Sequence, residues 1–374
     1  MTHHENYEND LILPYDKMRA HEEQKHAEPP KKKKRRGWRV LLIILLILLA
    51  MLAAVVIAWY TIPRAVIDAN IQSVSEFDES EVAVTPDLPP ARNVLNIALF
   101  GIDQASGTVG RSDAIIIVSI DKDHNKIKMT SLARDSLVPI DGHGEEKLTH
   151  AWAYGHAKLA LKTLNQNYGM NITEYAYINF TDFKQVIDYI GGVYVDLSVA
   201  ERDYLNELSY LGTKWPKIED TGRVLLTGAQ ALQYSRDRED GGTNRTARQR
   251  EVLVGLYSQM RTRPLTQLTG MVPRILQLCH TTLSGSEVVN LMTWALATSP
   301  SVETLSLPNS QTPTWTGVLD KSRGWVQVYD MEAASQVLHN FIYETDVPVT
   351  DVTVTIPSTT ESEDAITVTD PVQP

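Results

Sequence analysis

From Val40 to Tyr60 the chain reads VLLIILLILLAMLAAVVIAWY, about 21 residues without a charged side chain. A helix of that length, rising 1.5 Å per residue, crosses the ~30 Å hydrocarbon core of a bilayer. A helix satisfies all of its backbone groups internally, so it is the form such a run takes in lipid. The run is longer than a signal-peptide core and no small-x-small cleavage pattern follows it, which predicts an uncleaved signal anchor over residues 38–60. Lys31 to Arg36 form an unbroken basic block on one side, joined by Arg39. On the other side Asp68, Glu76, Asp78, Glu79 and Glu81 outweigh Arg64. The positive-inside rule then puts residues 1–37 in the cytoplasm and everything after about residue 60 outside. The block KKKKRR alone would also suit nucleic acid, but its place against an apolar span favours the bilayer, and no nucleic-acid partner is expected. The expected protein is a single-pass cell-membrane protein with an external domain.

The rest of the 374 residues read as that domain and its tails. Apolar residues make up 43% and charged residues 22%, a globular balance. The single cysteine, Cys279, excludes an internal disulfide framework and a cysteine-based metal cluster. Residues 1–37 read as a polar tail, and 61–91 as an extracellular stalk ending in TPDLPPA. Residues 92–345 read as the folded domain, and 346–374 as a Thr-, Asp-, Val- and Pro-rich tail. Within the domain, strands are expected at VLNIALFG, DAIIIVSI, KIKMTSL, EYAYINF, VYVDL and VETLSL. Helices are expected over 149–168, from a Thr181 cap to Gly191–Gly192, and over 227–235, 246–262, 286–297 and 331–343. This alternation predicts an α/β fold, a layered α/β/α-type domain with a central mixed sheet, preceded by the one transmembrane helix. Trp152, Tyr154 and Tyr168 read as core.

Chemistry concentrates at the ends of these elements. Asp103 follows the first strand, where α/β sheets place functional groups. Arg111 and Asp113 open the second strand, two apart and so on one face. Arg134 and Asp135 follow the third. Arg236, Arg238, Arg245, Arg248 and Arg250 lie within fifteen positions of one another in a chain of net charge −11. Local acids such as Asp237, Glu239, Asp240 and Glu251 account for some of these guanidiniums; the remainder suit a polyanion. Carboxylates that can share Mg²⁺ with a phosphate, beside arginines that neutralise phosphate oxygens, make a set suited to phosphoryl transfer. No phosphate-binding P-loop, dinucleotide fingerprint or nucleophile elbow is present. His143, His150 and His156 match no metal-site spacing.

The ordered blocks resemble the LytR-CpsA-Psr family of bacterial cell-envelope phosphotransferases. They are NIALFGIDQ, RSDAIIIVSI, SLARDSLVPIDGHGEEKLTHAWAYG, YINFTDFKQVIDYIGGVYVDL and LTGAQALQYSRDR followed by NRTARQR. The resemblance spans roughly residues 92–262, with VETLSLP and the last helix similar to the family's C-terminal part. It implies transfer of a glycopolymer, such as a teichoic acid or capsular polysaccharide, from a polyprenyl-(pyro)phosphate carrier to peptidoglycan, outside the membrane and with Mg²⁺. By the family pattern Asp103 and Asp113 would hold the metal. Arg111, Arg134, Arg236, Arg238, Arg245 and Gln249 would grip the pyrophosphate, with Lys147 and Arg248 assigned to the same substrate. Asp135 would orient Arg134 or assist proton transfer, and an apolar groove between sheet and helices would take the isoprenoid chain.

The chain departs from the pattern in places. Ala133 stands where the family has proline, His150 where it has asparagine, Trp152 where it has tyrosine, and the loop between Arg238 and Arg245 is short. Two other readings stay open at this level: a pyrophosphate hydrolase using the same site, and a non-catalytic receptor for the lipid-linked polymer.

Overall fold

The computed structural model describes residues 65–66, 68–84, 94–103, 110–210, 215–237, 242–347 and 349. The expected tail and membrane span over residues 1–60, the tail beyond 349, and Arg238 and Asp240 lie outside the described residues. Among the described residues no helix is long and apolar enough to cross a membrane.

The strands are β1 (Gln72–Ser73), β2 (Val94–Asp103), β3 (Arg111–Asp121), β4 (Lys126–Leu132), β5 (Leu137–Ile140), β6 (Gly144–Lys147), β7 (Glu174–Asn179), β8 (Val193–Leu197), β9 (Gly222–Leu226), β10 (His280–Thr281), β11 (Ser301–Leu307), β12 (Thr316–Asp320) and β13 (Gly324–Val328). The helices are α1 (Leu148–Tyr168), α2 (Phe180–Ile190), α3 (Val199–Tyr210), α4 (Gly228–Tyr234), α5 (Gly242–Arg261), α6 (Leu265–Leu276), α7 (Gly285–Thr298) and α8 (Met331–Tyr343).

A mixed seven-stranded sheet in the order β1-β10-β7-β2-β3-β4-β11 forms the centre. The antiparallel run β2-β3-β4 is flanked by parallel neighbours, β7 on β2 and β11 on β4. Both faces of this sheet are covered, and its central strands β2 and β3 carry apolar runs, IALFGI and AIIIV, rather than strict alternation. Ala98, Phe100, Ile102, Ile115 and Ile117 pack toward α1 and α8, with Leu161, Leu164 and Leu338. Leu99, Ile116 and Val118 pack on the opposite side with Leu253, Val254 and Tyr257 of α5. A further core joins α2, β8, β9, α4 and α5 through Ile187, Val195, Leu226, Tyr234 and Val252. Three two-stranded antiparallel sheets lie outside the main one: the hairpins β5-β6 and β12-β13, and β8-β9, whose strands are connected through α3.

Two expectations need correction. The segment expected as a stalk is built into the domain over 68–84. β1 pairs with β10, Val82 is fully buried with its carbonyl accepting from Asn165 Nδ2 at 2.8 Å, and Phe77 stacks on Tyr175 at 6.0 Å. Helix α2 starts earlier than a Thr181 cap would place it. Asn179 is the cap, its side chain accepting from the Asp182 backbone amide at 2.9 Å. Asn and Thr both cap well, and the apolar Phe180 between them belongs to the helix.

Candidate active site

Three chain segments converge where β3 starts and β4 ends. The link from β4 to β5, Ala133–Ser136, is fixed by its own backbone. Ala133 N–H donates to Leu307 O at 2.9 Å. Arg134 O accepts from Thr149 N–H at 3.0 Å and Ser136 O from Leu148 N–H at 2.9 Å. Those two donors belong to the first turn of α1, whose amides have no partner inside the helix. On the other flank Asp135 O accepts from Gln327 N–H at 2.9 Å. Thr149 Oγ1 donates to Ser112 O at 2.9 Å, which ties the start of β3 to the same point. Beneath it, Tyr329 OH donates to the fully buried Ser136 Oγ at 2.8 Å and contacts Tyr168 OH at 2.7 Å.

This frame aims the charged side chains. Arg134 bonds through Nη1 to Asp113 Oδ1 and through Nε to Asp135 Oδ2 at 3.2 Å. Lys147 Nζ reaches Asp135 Oδ1 at 3.2 Å. Burial would raise the Asp135 carboxyl, but the charges of Arg134, Lys147 and Arg245 outweigh it and hold the group below the usual carboxylate range. Burial likewise opposes the Arg134 charge, and Asp135 and Asp113 more than offset it. Asp103 ends β2 directly opposite Arg111, and both are exposed.

A cavity of about 240 Å³ opens beside this cluster. Its polar lining includes Asp113, Ser235, Arg236, Arg245 and Gln249. Most of its lining is apolar and includes Leu99, Ile116, Phe180, Phe183, Leu253 and Leu256. Helix α5 contributes Arg245, Gln249, Leu253 and Leu256, a spacing of four, four and three that keeps them on one helical stripe. Over about 16 Å that stripe passes from cationic to aliphatic. Arg236 lies 4.9 Å over the Phe180 ring, a cation–π contact that steers the guanidinium to the cavity.

The sequence-predicted residues fall into three groups. Asp113, Arg236, Arg245 and Gln249 line the cavity, and Arg134, Asp135 and Lys147 form a chain of ion pairs behind Asp113. Asp103 and Arg111 stand at the adjoining strand ends. Arg248 does not line the cavity: it is 4% exposed, its Nε bonds Glu201 Oε1 at 2.6 Å, and its Nη2 lies 3.5 Å from Asp237 Oδ2. Arg250 is also internal, bonding Ser306 Oγ at 2.6 Å, and burial pulls its pKa down to about 10. Phe180 and Phe183 line the cavity and are missed by a charge-based reading; their signal is two aromatics three apart opening an amphipathic helix. Trp152 and Tyr168 are core as expected, whereas Tyr154 is 45% exposed and stacks on His143 at 4.1 Å.

Asp103 and Asp113 offer carboxylates from neighbouring strands beside the guanidiniums, the hard-oxygen donor type that Mg²⁺ shares with phosphates. A second cluster of ligand-type residues, Asp121, His124 and Glu344, lies at the far end of β3, about 26 Å along the strand. There Lys128 Nζ already sits 3.4 Å from Asp121 and 3.1 Å from Glu344, so a cation occupies the position a metal would take.

A model of the LytR_cpsA_psr family matches residues 65–340. The polyisoprenyl-teichoic acid–peptidoglycan teichoic acid transferase TagU of Oceanobacillus iheyensis is 32% identical over 177 residues, 45% of this chain and 52% of that protein. The regulatory protein MsrR of Staphylococcus aureus strain Mu50 is 35% identical over 168 residues, 44% of this chain and 49% of that protein. The chain thus matches about half the length of these curated relatives. A solved structure of YwtF (TagT) with bound octaprenyl pyrophosphate lipid has a TM-score of 0.51 at 25% identity, covering 73% of this chain and 96% of that one.

Proposed function

The chain belongs to the LytR_cpsA_psr family, and on that basis we propose that it transfers a glycopolymer from a polyprenyl-(pyro)phosphate carrier to peptidoglycan. The observation that carries this reading is the cavity, whose α5 wall runs from Arg245 and Gln249 to Leu253 and Leu256 and whose lining adds Arg236, Phe180 and Phe183. A polyprenyl pyrophosphate has that same division between charge and hydrocarbon. Its chain suits Leu253, Leu256, Phe183 and their neighbours, and its phosphates suit Arg236, Arg245 and Gln249.

In the proposed reaction an acceptor sugar hydroxyl bonds to the phosphorus that bears the glycopolymer. The bridging P–O bond breaks, and the polyprenyl phosphate leaves with that electron pair while the hydroxyl proton is released. Arg236, Arg245 and Arg134 neutralise charge on the phosphate oxygens as it redistributes. Asp135 suits orientation better than proton transfer, because a carboxyl held below its usual range is a weak base at neutral pH. Asp103 and Asp113 would hold Mg²⁺, which when bound supplies further charge neutralisation at phosphate. The apolar run at 40–60 supports a membrane anchor with the domain outside, the side on which peptidoglycan is assembled.

The test uses the full chain in detergent, with a polyprenyl-pyrophosphate-linked oligosaccharide and peptidoglycan fragments, with and without Mg²⁺. Sugar on peptidoglycan that depends on Arg236 supports the reading. Phosphate release without transfer points to a hydrolase, and lipid binding without chemistry to a receptor.

A further inference from the structure

The β12-β13 hairpin contributes nothing to the cavity, yet it is bonded to the segment that carries Arg134 and Asp135. Gln327 of β13 donates its backbone amide to Asp135 O at 2.9 Å and bridges Ser136. Near the turn, Arg323 Nε donates to Glu145 O at 3.0 Å, which fastens the hairpin to β6 as well. One face of the hairpin is inward, with Val326 and Val328 buried. On the other face Trp325 is 38% exposed and its direct cross-strand partner Leu319 is 64% exposed. Trp315, one residue ahead of β12, is 37% exposed.

The Trp325 indole lies down on the hairpin. A Cβ added to Gly317 would meet Trp325 Cζ2 at 2.0 Å and Cη2 at 2.2 Å, so the six-membered ring rests on the glycine backbone. No other residue permits that approach, because any side chain at 317 would lift the ring. Trp325 remains 38% exposed, beside its cross-strand partner Leu319. Trp325 is two residues from Gln327, about 7 Å along the strand from the residue bonded to Asp135.

We propose that this surface docks the sugar rings of the acceptor glycan; the identity of that acceptor rests on the function proposed above. A flat indole beside an aliphatic side chain offers an apolar plane to the C–H face of a pyranose, while the ring hydroxyls stay in water. The local charge does not favour a phosphate: Arg323 pairs with Asp320 at 3.0 Å across the turn. The donor's hydrocarbon has its own cavity. A second copy of the chain is disfavoured by area, since a stable interface takes about 800 Å² per partner and this patch is one face of a short hairpin. Its backbone bond to Asp135 ties a sugar docked there to the segment that carries Arg134.

The test compares Trp325→Ala, Trp325→Phe and Gly317→Ala with the unmodified full chain. Binding of soluble strands of alternating N-acetylglucosamine and N-acetylmuramic acid is measured by calorimetry, and KM is measured separately for acceptor and donor. Trp325→Ala is expected to weaken strand binding and raise the acceptor KM about tenfold, with the donor KM unchanged. Trp325→Phe should recover part of the loss, and Gly317→Ala should lose binding although the indole is still present. Unaltered strand binding in a folded Trp325→Ala protein would overturn the proposal. So would a loss confined to lipid-vesicle binding or to self-association. Because calorimetry needs no turnover, strand binding through Trp325 without transfer would sink the proposed reaction and leave the platform standing. Transfer indifferent to Trp325 would do the reverse.

Discussion

Strand β3 carries an acid–base cluster at each end, and the two differ in what surrounds the charge. At its far end Lys128 is fully buried, held by Ile342 O at 2.7 Å, Asp121 at 3.4 Å and Glu344 at 3.1 Å. Asp121, itself 1% exposed, also bonds His124. Every charge there is answered from within the protein. At the near end Asp113 and Arg134 pair with each other, but Asp113 lines a cavity whose other polar walls include Arg236 and Arg245. Charged residues alone therefore do not separate structure from function in this chain. The distinction lies in whether the cluster is closed on itself or opens toward a space that a ligand can fill.

That contrast is broken most sharply by removing a charge from each end. Lys128→Met leaves the buried Asp121 without its internal cation, and loss of one partner from a buried pair costs about 3–5 kcal/mol. Denaturant unfolding should show that loss, while transfer per folded molecule stays near the unmodified rate. Arg236→Ala should do the opposite. Arg236 is exposed at the cavity, so the melting temperature should barely move, while transfer falls by about 10²–10³-fold, the usual cost of one charge-stabilising donor. A stability loss in Arg236→Ala comparable to that of Lys128→Met would erase the distinction.

Much of the fold is legible in the sequence because burial writes itself into composition. β2 and β3 are covered on both faces and read as apolar runs. α8 has the expected bounds, with Asp330 accepting from the Ala333 amide as its cap. β8 is expected at VYVDL, but its partner β9 and the hairpins β5-β6 and β12-β13 are not legible, because four or five residues with one open face give too little pattern. Helices α3 and α6 were missed as well. Within the site, the helix expected over 246–262 puts Gln249, Leu253 and Leu256 on one stripe, but Arg245 falls just before it, and the helix in fact begins at Gly242. The assignment of Arg248 does not follow from spacing. Only three positions from Arg245, it is committed to Glu201, 47 residues away in sequence, and no local pattern announces that partner.

Ala133 sharpens the comparison at the near end. The family pattern expects proline there, and the structure shows what the alanine makes available: its N–H donates to Leu307 O at 2.9 Å, joining the Arg134 segment to the end of β11. Proline has no such donor. Ala133→Pro should cost about 1 kcal/mol of stability, the net worth of one backbone hydrogen bond. It should also lower transfer more than a far-end substitution of equal cost, since the lost bond positions Arg134. Equal effects on transfer would show that this anchor has no part in aiming the guanidinium.

The smallest effect is expected from His124, at the exposed rim of the closed cluster. The hydrogen bond and charge of Asp121, with the charge of Glu344, raise its pKa above the ordinary histidine value, against burial and the nearby Lys128 charge. A raised folded-state pKa means that the charged histidine stabilises the fold fully below its unfolded value of about 6.5, and that this contribution fades as pH climbs through the raised value. His124→Gln removes the titration and keeps a hydrogen-bonding side chain. The melting-temperature advantage of the unmodified chain over this variant should be largest near pH 6 and shrink toward pH 9. Burial alone would raise the Asp121 carboxyl, but its bonds to His124 and the charge of Lys128 hold it low, so Asp121 stays ionised throughout that window. A difference that stayed constant from about pH 6 to 9 would mean that His124 acts as a hydrogen-bonding group alone, and that the closed end of β3 owes its balance to Lys128 rather than to a second cation.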